Sequence, residues 1–334
     1  MGGFGVGLRL GCGFLEAGSE SKKLFLKNIK EYKSKALPFL MIIVSFPRNE
    51  CVRDHVERTL EIIKELEVDY SSTKSISLNF SEVKWFLPCS MILLSNKVRE
   101  LMARGAGFVQ YVRPINEKAR EHMEKIGFPL GDKKDGGSYI SIKHISRNQN
   151  KKDLVNERVN EMTSSLKELV PEEFGQSVIY ILSEMSDNID QHSNFQFASL
   201  MAQYFPQKGI LDIAVFDNGL TIPGVYEKNN LKFKKDVDAI KMAVLDGKST
   251  KEEKGRGFGL RSCGTLSLGV LEGEFHVISR NGILTLKSKE ELEQDNLGKN
   301  SVGGTLIHFR LKKPKDQINI YEYVENVDVH KYIK

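Results

Sequence analysis

The sequence predicts an α/β protein with two domains, and three observations support this prediction. Strand and helix patterns alternate over roughly the first third of the chain, a polar and glycine-containing segment follows, and the remainder is rich in strands. Alternating strands and helices are typical of an α/β layer. The chain has 334 residues, of which 40% are hydrophobic and 28% charged, a length of roughly two domains.

The first domain is predicted from three apolar segments and two helical patterns. Strands are expected at 39–46, 75–80 and 107–113. Between them, apolar residues recur at helical spacing in 52–68 and in 90–105, where a glycine ends the second pattern. These elements predict a small α/β layer.

The second domain is predicted to begin with two helices and to continue as a sheet. One helix covers 153–169, and Pro171 starts the next. Strands are expected in 209–219, in a hairpin at 274–288 around an Asn-Gly pair, and at 304–312. The alternation in the last strand predicts a sheet with one buried face.

These patterns give the predicted domain boundaries. Residues 1–20 are expected to be a disordered leader, and residues 36–131 form the first domain. The polar segment 132–152 is expected to be a connector with one short strand. The second domain covers 153–313, and 314–334 is a tail.

Charge and cysteine content exclude several classes of protein. The net charge of +5, from 49 basic and 44 acidic residues, is too small for a dedicated nucleic-acid binder. Four scattered cysteines without a CxxC pair favour neither a disulfide framework nor a metal site. The apolar run at 37–46 is too short to cross a bilayer, and the start lacks signal-peptide features. We expect a cytoplasmic protein with neither a membrane nor a nucleic acid as partner.

The helix after Pro171 carries an unusually polar stretch, "ILSEMSDNIDQHSN" at 181–194. One stripe of this helix is apolar, and Glu184 and Asn188 lie one turn apart on a neighbouring stripe. An amide oxygen and a carboxylate at this spacing suit Mg²⁺ on a triphosphate and an attacking group, respectively. The alternative is a solvated polar face of the helix.

Three further motifs follow along the chain. Asp217 ends a strand and is followed closely by Gly219, which lets the backbone turn near a ligand. "GRGFGL" at 255–260 places bare backbone amides before an apolar stretch, as phosphate-binding segments do. "GGT" at 303–305 opens the last strand. Each motif taken alone also fits an ordinary turn.

In this order, the four motifs resemble those of the GHKL superfamily of ATP-binding domains, which includes gyrase B subunits, MutL, heat-shock chaperones, histidine kinases and anti-sigma-factor serine kinases. "EMSDN" at 184–188 resembles the N box, "DNGLTIP" at 217–223 the G1 box, and "GRGFGL" the G2 box. The resemblance covers 154–313. It implies a Bergerat fold, a two-layer α+β sandwich with a mixed sheet and with helices on one face.

The resemblance also implies roles for individual residues, with ATP and Mg²⁺ as cofactors. Glu184 corresponds to the general base, Asn188 to the Mg²⁺ ligand and Asp217 to the adenine-binding carboxylate. The other residues implied in nucleotide binding are Asp187, Gly219, Ile222, Gly255, Arg256, Gly257, Phe258, Gly259, Leu260 and Thr305. The charged segment 224–254 lies where the family carries its mobile ATP lid, although a solvated loop fits the same composition.

The first domain is similar in architecture to a STAS domain, the fold of anti-anti-sigma factors. Ser90, in "LPCSM" at 87–91, aligns with the phosphorylated serine of that family. Pro88 and Met91 replace the expected Asp and Gly, which argues against phosphorylation there.

Three functions are compatible with these patterns. The first is a regulatory ATPase in which Mg²⁺-dependent hydrolysis is coupled to lid closure and a conformational switch. The second is a serine/threonine kinase of the anti-sigma type acting on a partner, and the third is an ATP-binding interaction module without turnover. The expected partners are ATP and another protein, with a homodimer left open.

Overall fold

The computed structural model describes most of the chain from residue 41 onward. The described ranges are 41–106, 108–146, 154–192, 194–247, 259–316, 319–324 and 327–334. The predicted leader at 1–20 and most of the "GRGFGL" motif lie outside them. From residue 41 the chain forms one compact unit. None of its described helices is long and apolar enough to cross a membrane.

The first layer is a three-stranded parallel sheet with helices, as the alternating pattern predicts. Its strands are β1 (Ile42–Ile43), β2 (Ser75–Asn79) and β3 (Phe108–Val112), in the order β1-β2-β3. Its helices are α1 (Val52–Thr73), α2 (Pro88–Ala103) and α3 (Glu117–Lys125). Both predicted helices and two of the three strands are confirmed, whereas the first strand is reduced to two residues.

The second layer is a seven-stranded sheet. Its strands are β4 (Tyr139–Ser146), β5 (Phe197–Phe205), β6 (Ile210–Asp217), β7 (Glu274–Arg280), β8 (Gly282–Lys287), β9 (Glu293–Asn296) and β10 (Val302–Lys312). They lie in the order β4-β5-β6-β10-β7-β8-β9, and every neighbouring pair is antiparallel. The expected mixed sheet is therefore wrong, because β10 returns between β6 and β7 and keeps these two equally directed strands apart.

Six helices accompany this sheet in the described ranges. They are α4 (Leu154–Leu169), α5 (Gly175–His192), α6 (Ile222–Lys228), α7 (Asp236–Val244), α8 (Gly259–Gly269) and α9 (Tyr321–Val324). The helices predicted at 153–169 and after Pro171 are confirmed as α4 and α5, separated by a single 3₁₀ turn. The segment that the sequence marks as a connector contributes β4, which pairs with β5 at the edge of the sheet.

Both faces of the seven-stranded sheet are buried, contrary to the one-faced burial predicted from β10. On one face, Ile307 and Phe309 share a core with α4, α5 and α8. On the other face, Leu306 shares a second core with residues of α1 and α2, and the neighbouring His308 is fully buried. The first layer covers this second face, and alternation within one strand carries no information about a layer far away in sequence.

Ser90 of α2 lies against α1 in the first layer. Its side chain is fully buried, and its hydroxyl accepts a hydrogen bond of 3.0 Å from the hydroxyl of Thr59. The Nδ1 atom of His55 lies 3.4 Å away from the same hydroxyl. A kinase would have to separate α1 from α2 to reach it, which agrees with the sequence argument against phosphorylation.

The C-terminal residues pack on α8. Val329 is fully buried, and the ring of Tyr332 lies so close to Gly269 that an added Cβ would come within 2.6 Å of it. An added Cβ on Gly264 would lie 3.5 Å from the Val329 side chain, an ordinary contact distance. The tail therefore forms part of the support of α8, the helix that follows the glycine motif.

Two neutral histidines, the buried His144 and the half-buried His122, should make the protein sensitive to acid. Burial lowers the pKa of His122 to about 4 and that of His144 to about 3. An unfolded histidine binds a proton below pH ~6.5, so stability should fall as the pH drops below that value. Between pH 7 and pH 5, each residue should reduce the free energy of unfolding by about 2 kcal/mol. Urea denaturation across this pH range measures the slope.

The His122→Phe variant isolates one of the two contributions. His122 stacks on Phe86 with ring centroids 5.1 Å apart, and a phenyl ring retains that contact without a titrating group. This variant should lose about 2 kcal/mol of the acid-dependent change. His330→Gln, at an exposed position, is the control and should leave the slope unchanged. An unchanged slope in His122→Phe would contradict the explanation.

Candidate functional site

Three strand ends bring polar side chains together on the face of the seven-stranded sheet that α4, α5 and α8 cover. Thr305 of β10 is paired with Asp217 of β6 on one side and with Ser279 of β7 on the other. Side chains alternate between faces along a strand. Asp217 therefore points to the same face as Val215, which lies in the core shared with α4, α5 and α8. The Ser279 and Thr305 hydroxyls are 3.0 Å apart. The first polar group of the site therefore consists of a carboxylate and two hydroxyls.

Gly304 allows these strands to approach one another. A Cβ at this position would lie 1.9 Å from the carbonyl oxygen of Asp217, far inside contact distance. Its φ of +156° is also unusual for other residues. Gly304, the second glycine of the "GGT" motif, is thus required by the pairing of β10 with the end of β6.

The segment after Asp217 folds back across the strand ends. The Gly219 N–H donates a 2.9 Å hydrogen bond to the Asp217 carboxylate, which forms a local turn. Thr221 caps α6, and the N–H of Ile222 at its start donates to the Ser279 hydroxyl at 3.0 Å. These contacts fix α6 beside the first polar group.

The second polar group lies where α5 meets the start of α8. An added Cβ on Gly259 would be 3.3 Å from the Glu184 carboxylate and 3.5 Å from the Asn188 amide oxygen. Gly259 is the first residue of α8, and unpaired N–H groups at a helix start carry partial positive charge. The structure thus places the two polar residues of α5 directly against the last glycine of the "GRGFGL" motif.

Asn188 has an unsatisfied donor in this position. Its Nδ2 atom is buried and has no hydrogen-bond partner among the described residues. A buried amide usually finds a partner, so an unpaired one often marks a site completed by a ligand or water. Glu184 and Asn188 are both only partly buried and therefore border solvent.

The other predicted site residues are placed differently. Asp187 is exposed on α5, and the Leu260 side chain packs against the core shared with α4, α5 and α8. Arg261, the residue after the "GRGFGL" motif, lies against Gly247 and 4.0 Å from the Asp328 carboxylate. The predicted residues Gly255, Arg256, Gly257 and Phe258, and residues 248–254 of the segment compared with an ATP lid, lie outside the described residues.

Three hydroxyl-bearing residues of these groups were missed in the sequence. Ser279 precedes the Asn-Gly hairpin and joins the Asp217 group. Tyr180 and Ser262 have hydroxyl oxygens 2.8 Å apart and connect α5 to α8. The position of Tyr180 was detectable, because it lies four residues before Glu184 on the same helical stripe. Ser262 has no such signal in the sequence.

A groove of about 1250 Å³ lies elsewhere, between α4 and the segment before β4. Carboxylates on α4 line it, from Glu157, Glu161 and Glu168, together with Lys134 and Lys143. Three carboxylates along one wall would repel a triphosphate, and no predicted site residue is among its lining residues. The two polar groups at α5 and β6 remain the better candidate for an anionic nucleotide.

Comparisons with known proteins add no family to this description. No protein-family model matches the chain, and no curated protein matches it either. In the described part of the chain, no three His, Cys, Asp or Glu side chains are grouped so as to hold a metal ion. The functional assignment therefore depends on the geometry of the two polar groups.

Proposed function

We propose that the chain is an ATP-binding regulatory protein of the GHKL type, in which Mg²⁺-dependent hydrolysis is coupled to a conformational switch. The observation that carries the proposal is the position of Gly259, which lies against Glu184 and Asn188. The N box and the G2 box are separated by about 70 residues in the sequence. Residues of the first and third motifs therefore lie together at one helix start, which supports the proposal.

The first polar group, formed by Asp217, Ser279 and Thr305, has hydrogen-bonding groups that suit adenine. The Asp217 carboxylate is an acceptor, and the exocyclic amino group of adenine is a donor. Thr305 and Ser279 add hydroxyls that can both donate and accept beside it. Asp217 is 8% exposed, so a hydrogen bond to its carboxylate would be shielded from water.

The second polar group, formed by Glu184 and Asn188 against Gly259, has groups that suit the phosphates and Mg²⁺. Backbone N–H groups at a helix start suit anionic oxygens. The Asn188 amide offers an oxygen ligand to Mg²⁺, and an ion held largely by phosphate oxygens and water needs few protein ligands. When bound, Mg²⁺ neutralises phosphate charge, while the Glu184 carboxylate suits a general base for water.

The first layer is proposed to act as a sensor or docking module. Helix α2 packs on the back of β5 and β6, opposite the proposed nucleotide face. A cavity of about 280 Å³ is lined by residues of α2 and by Phe216 and Asn218, which flank Asp217 on either side. Phe216 belongs to the core that β6 shares with α2, so movement of the Asp217 turn would reach α2 through Phe216.

Nucleotide binding tests the proposal directly. In Asp217→Asn, an amide replaces one carboxylate acceptor, so ATP affinity should fall by roughly 10- to 100-fold, as expected for loss of a hydrogen bond to a charged group. The amide can donate to the O6 atom of guanine, so discrimination between ATP and GTP should also narrow. Calorimetric titration with Mg-ATP and Mg-GTP measures both effects.

The control is Asp190→Asn, which removes an exposed carboxylate from the same helix as Glu184 and should bind as the wild type does. Failure of the wild type to bind ATP would overturn the GHKL assignment. Binding without phosphate release would favour the alternative activities, transfer of the γ-phosphate to a partner hydroxyl or binding alone. Adding candidate partner proteins to the same assay separates these two.

A further inference from the structure

We propose that the cavity of about 280 Å³ between the two layers binds a small neutral effector, an aromatic molecule with one hydrogen-bond acceptor, which raises the affinity for ATP. The ligand site itself is independent of the function proposed above, whereas the regulatory effect rests on that function. This interlayer cavity lies on the face of the seven-stranded sheet that α1 and α2 cover.

The interlayer cavity shares strands β6 and β10 with the first polar group. Side chains alternate between the two faces of a strand. Phe216 and Asn218, on either side of Asp217, line the cavity, and so does Val302 on the strand that carries Thr305. A ligand in the cavity would therefore contact the same strand ends as the nucleotide, from the opposite face of the sheet.

The interlayer cavity has a buried interior and an opening to solvent. Its lining residues Leu60, Leu93 and Phe216 are buried, whereas Ser301 and Gly303 are exposed. A small molecule can therefore enter without separation of the layers. The cavity has the volume of about nine water molecules in the liquid, so it suits a ligand of about ten non-hydrogen atoms.

The apolar part of the lining favours a flat ring. Phe197 and Phe216 lie on the adjacent strands β5 and β6, and contacts between aromatic rings are favourable beyond the area that they bury. Aliphatic surface from α1 and α2 completes this part of the lining, with Leu60, Ile63 and Leu93. A mostly apolar wall with a few polar groups is typical of sites for small molecules.

The described charges at the opening compensate one another. The Lys97 ammonium pairs with Glu67 and lies 3.0 Å from the Glu100 carboxylate. The Arg104 guanidinium lies 3.0 Å from Glu67 and 3.3 Å from Glu100. A charged ligand would lose its hydration without gaining an uncompensated partner among these groups. The site therefore favours a neutral molecule.

Asn218 determines the polar group that the ligand needs. Its amide oxygen accepts hydrogen bonds from the backbone N–H groups of Gln196, at 2.9 Å, and Phe197, at 2.7 Å. An amide oxygen has two lone pairs, so the amino group is the part of this side chain that remains for a ligand. The ligand should accordingly carry an acceptor such as a carbonyl oxygen.

Benzamide is the probe, because it combines an aromatic ring with a neutral carbonyl acceptor. The full chain should bind it with a Kd of roughly 10 μM to 1 mM, as expected for a ligand of this size. Benzoate and benzylamine place a negative or a positive charge beside the same ring, and each should bind at least about tenfold more weakly. Calorimetric titration measures all three, and tighter binding of either ion would overturn the preference for a neutral ligand.

Two substitutions fill the interlayer cavity from different helices. Leu93→Phe on α2 and Ile63→Phe on α1 add volume to the lining, so each should weaken benzamide binding by about tenfold or more. Ile63 is half-buried, so a larger side chain there requires less repacking than at a fully buried position. Val68→Phe adds a ring at an exposed position of α1 and is the control, with wild-type binding.

ATP titrations with and without saturating benzamide measure the regulatory effect. ATP affinity should rise by about fivefold, because the ligand packs against Phe216 and Val302 and limits movement of the strand ends behind the first polar group. ATP should raise the affinity for benzamide by the same factor, as linkage requires. In Ile63→Phe, benzamide should leave ATP affinity unchanged.

The outcomes separate this inference from the proposed function. Absence of benzamide binding, or equal binding by the wild type and both cavity-filling variants, would overturn the ligand site whatever the result with ATP. Benzamide binding without a change in ATP affinity would overturn the regulatory effect. A wild type that binds benzamide but not ATP would remove the proposed function, and the regulatory effect with it, while the ligand site stands.

Discussion

Glu184→Gln should lower the rate of Mg-ATP hydrolysis by roughly 10²- to 10⁴-fold, the range expected on loss of a general base. The amide is nearly isosteric with the carboxylate, so the contact with Gly259 should persist. ATP affinity should change little, because the proposed role of Glu184 is in proton transfer. Phosphate release and equilibrium binding, measured on the same preparation, separate the two effects.

Glu168→Gln is the matched control for this variant. It removes an exposed carboxylate from α4, outside both polar groups, and should hydrolyse ATP at the wild-type rate. Equal turnover in Glu184→Gln and the wild type would exclude Glu184 as the base. Loss of binding together with turnover would instead assign Glu184 to nucleotide or metal binding.

Local patterns in the sequence predict much of the fold correctly. Helices α1, α2 and α5 are predictable because their apolar residues recur at helical spacing, and a glycine ends α2 while a proline precedes α5. The β7–β8 hairpin was found from its Asn-Gly pair. These signals lie within a few residues of the elements that they specify.

Contacts between distant segments were not predictable in the same way. Strand β5 was missed, although its sequence "FASLMAQYF" is apolar along most of its length. A strand buried on both faces has no polar alternation, so its pattern resembles any apolar run. Its burial depends on α2, which covers the second face from about 100 residues earlier in the chain.

The candidate site shows the same division. The sequence identified Glu184, Asn188 and Asp217 as the polar residues of motifs with a known order. It did not identify Ser262, because an isolated serine in a helix has no distinctive spacing. Its 2.8 Å contact with Tyr180 is created only by the packing of α8 on α5.

The interface between the two layers contains a buried charged cluster formed by Asp212, His308 and Arg310. Asp212 and His308 are fully buried. The Asp212 carboxylate lies 3.9 Å from the His308 Nε2 atom and 3.7 Å from the Arg310 Nη1 atom. Arg310 also pairs with Glu50, immediately before α1. Asp212 of β6 thus faces two basic residues of β10 at the contact with the first layer, and Glu50 supplies a second carboxylate to Arg310.

Asp212→Asn should reduce the free energy of unfolding by about 3–5 kcal/mol, the range for removing one partner of a buried ion pair. The amide retains the volume of the side chain but leaves the positive charges of His308 and Arg310 without their buried counter-ion. Guanidinium denaturation at pH 7 measures the loss. The control is Asp295→Asn, whose partner Arg53 is 2.8 Å away on the surface, and loss of this exposed pair should leave the free energy of unfolding nearly unchanged.

The pH dependence of stability identifies the cause of that loss. Burial by itself lowers the His308 pKa, but the Cys89 and Asp212 side chains outweigh it and raise this pKa to about 9. A raised folded-state pKa stabilises the protein fully below pH ~6.5, and this contribution is lost as the pH rises through about 9. The wild type should therefore lose roughly 3 kcal/mol from this residue between pH 6 and pH 9. In Asp212→Asn, that part of the alkaline decline should be much smaller. An equally steep decline in both proteins would show that Asp212 does not hold the proton on His308.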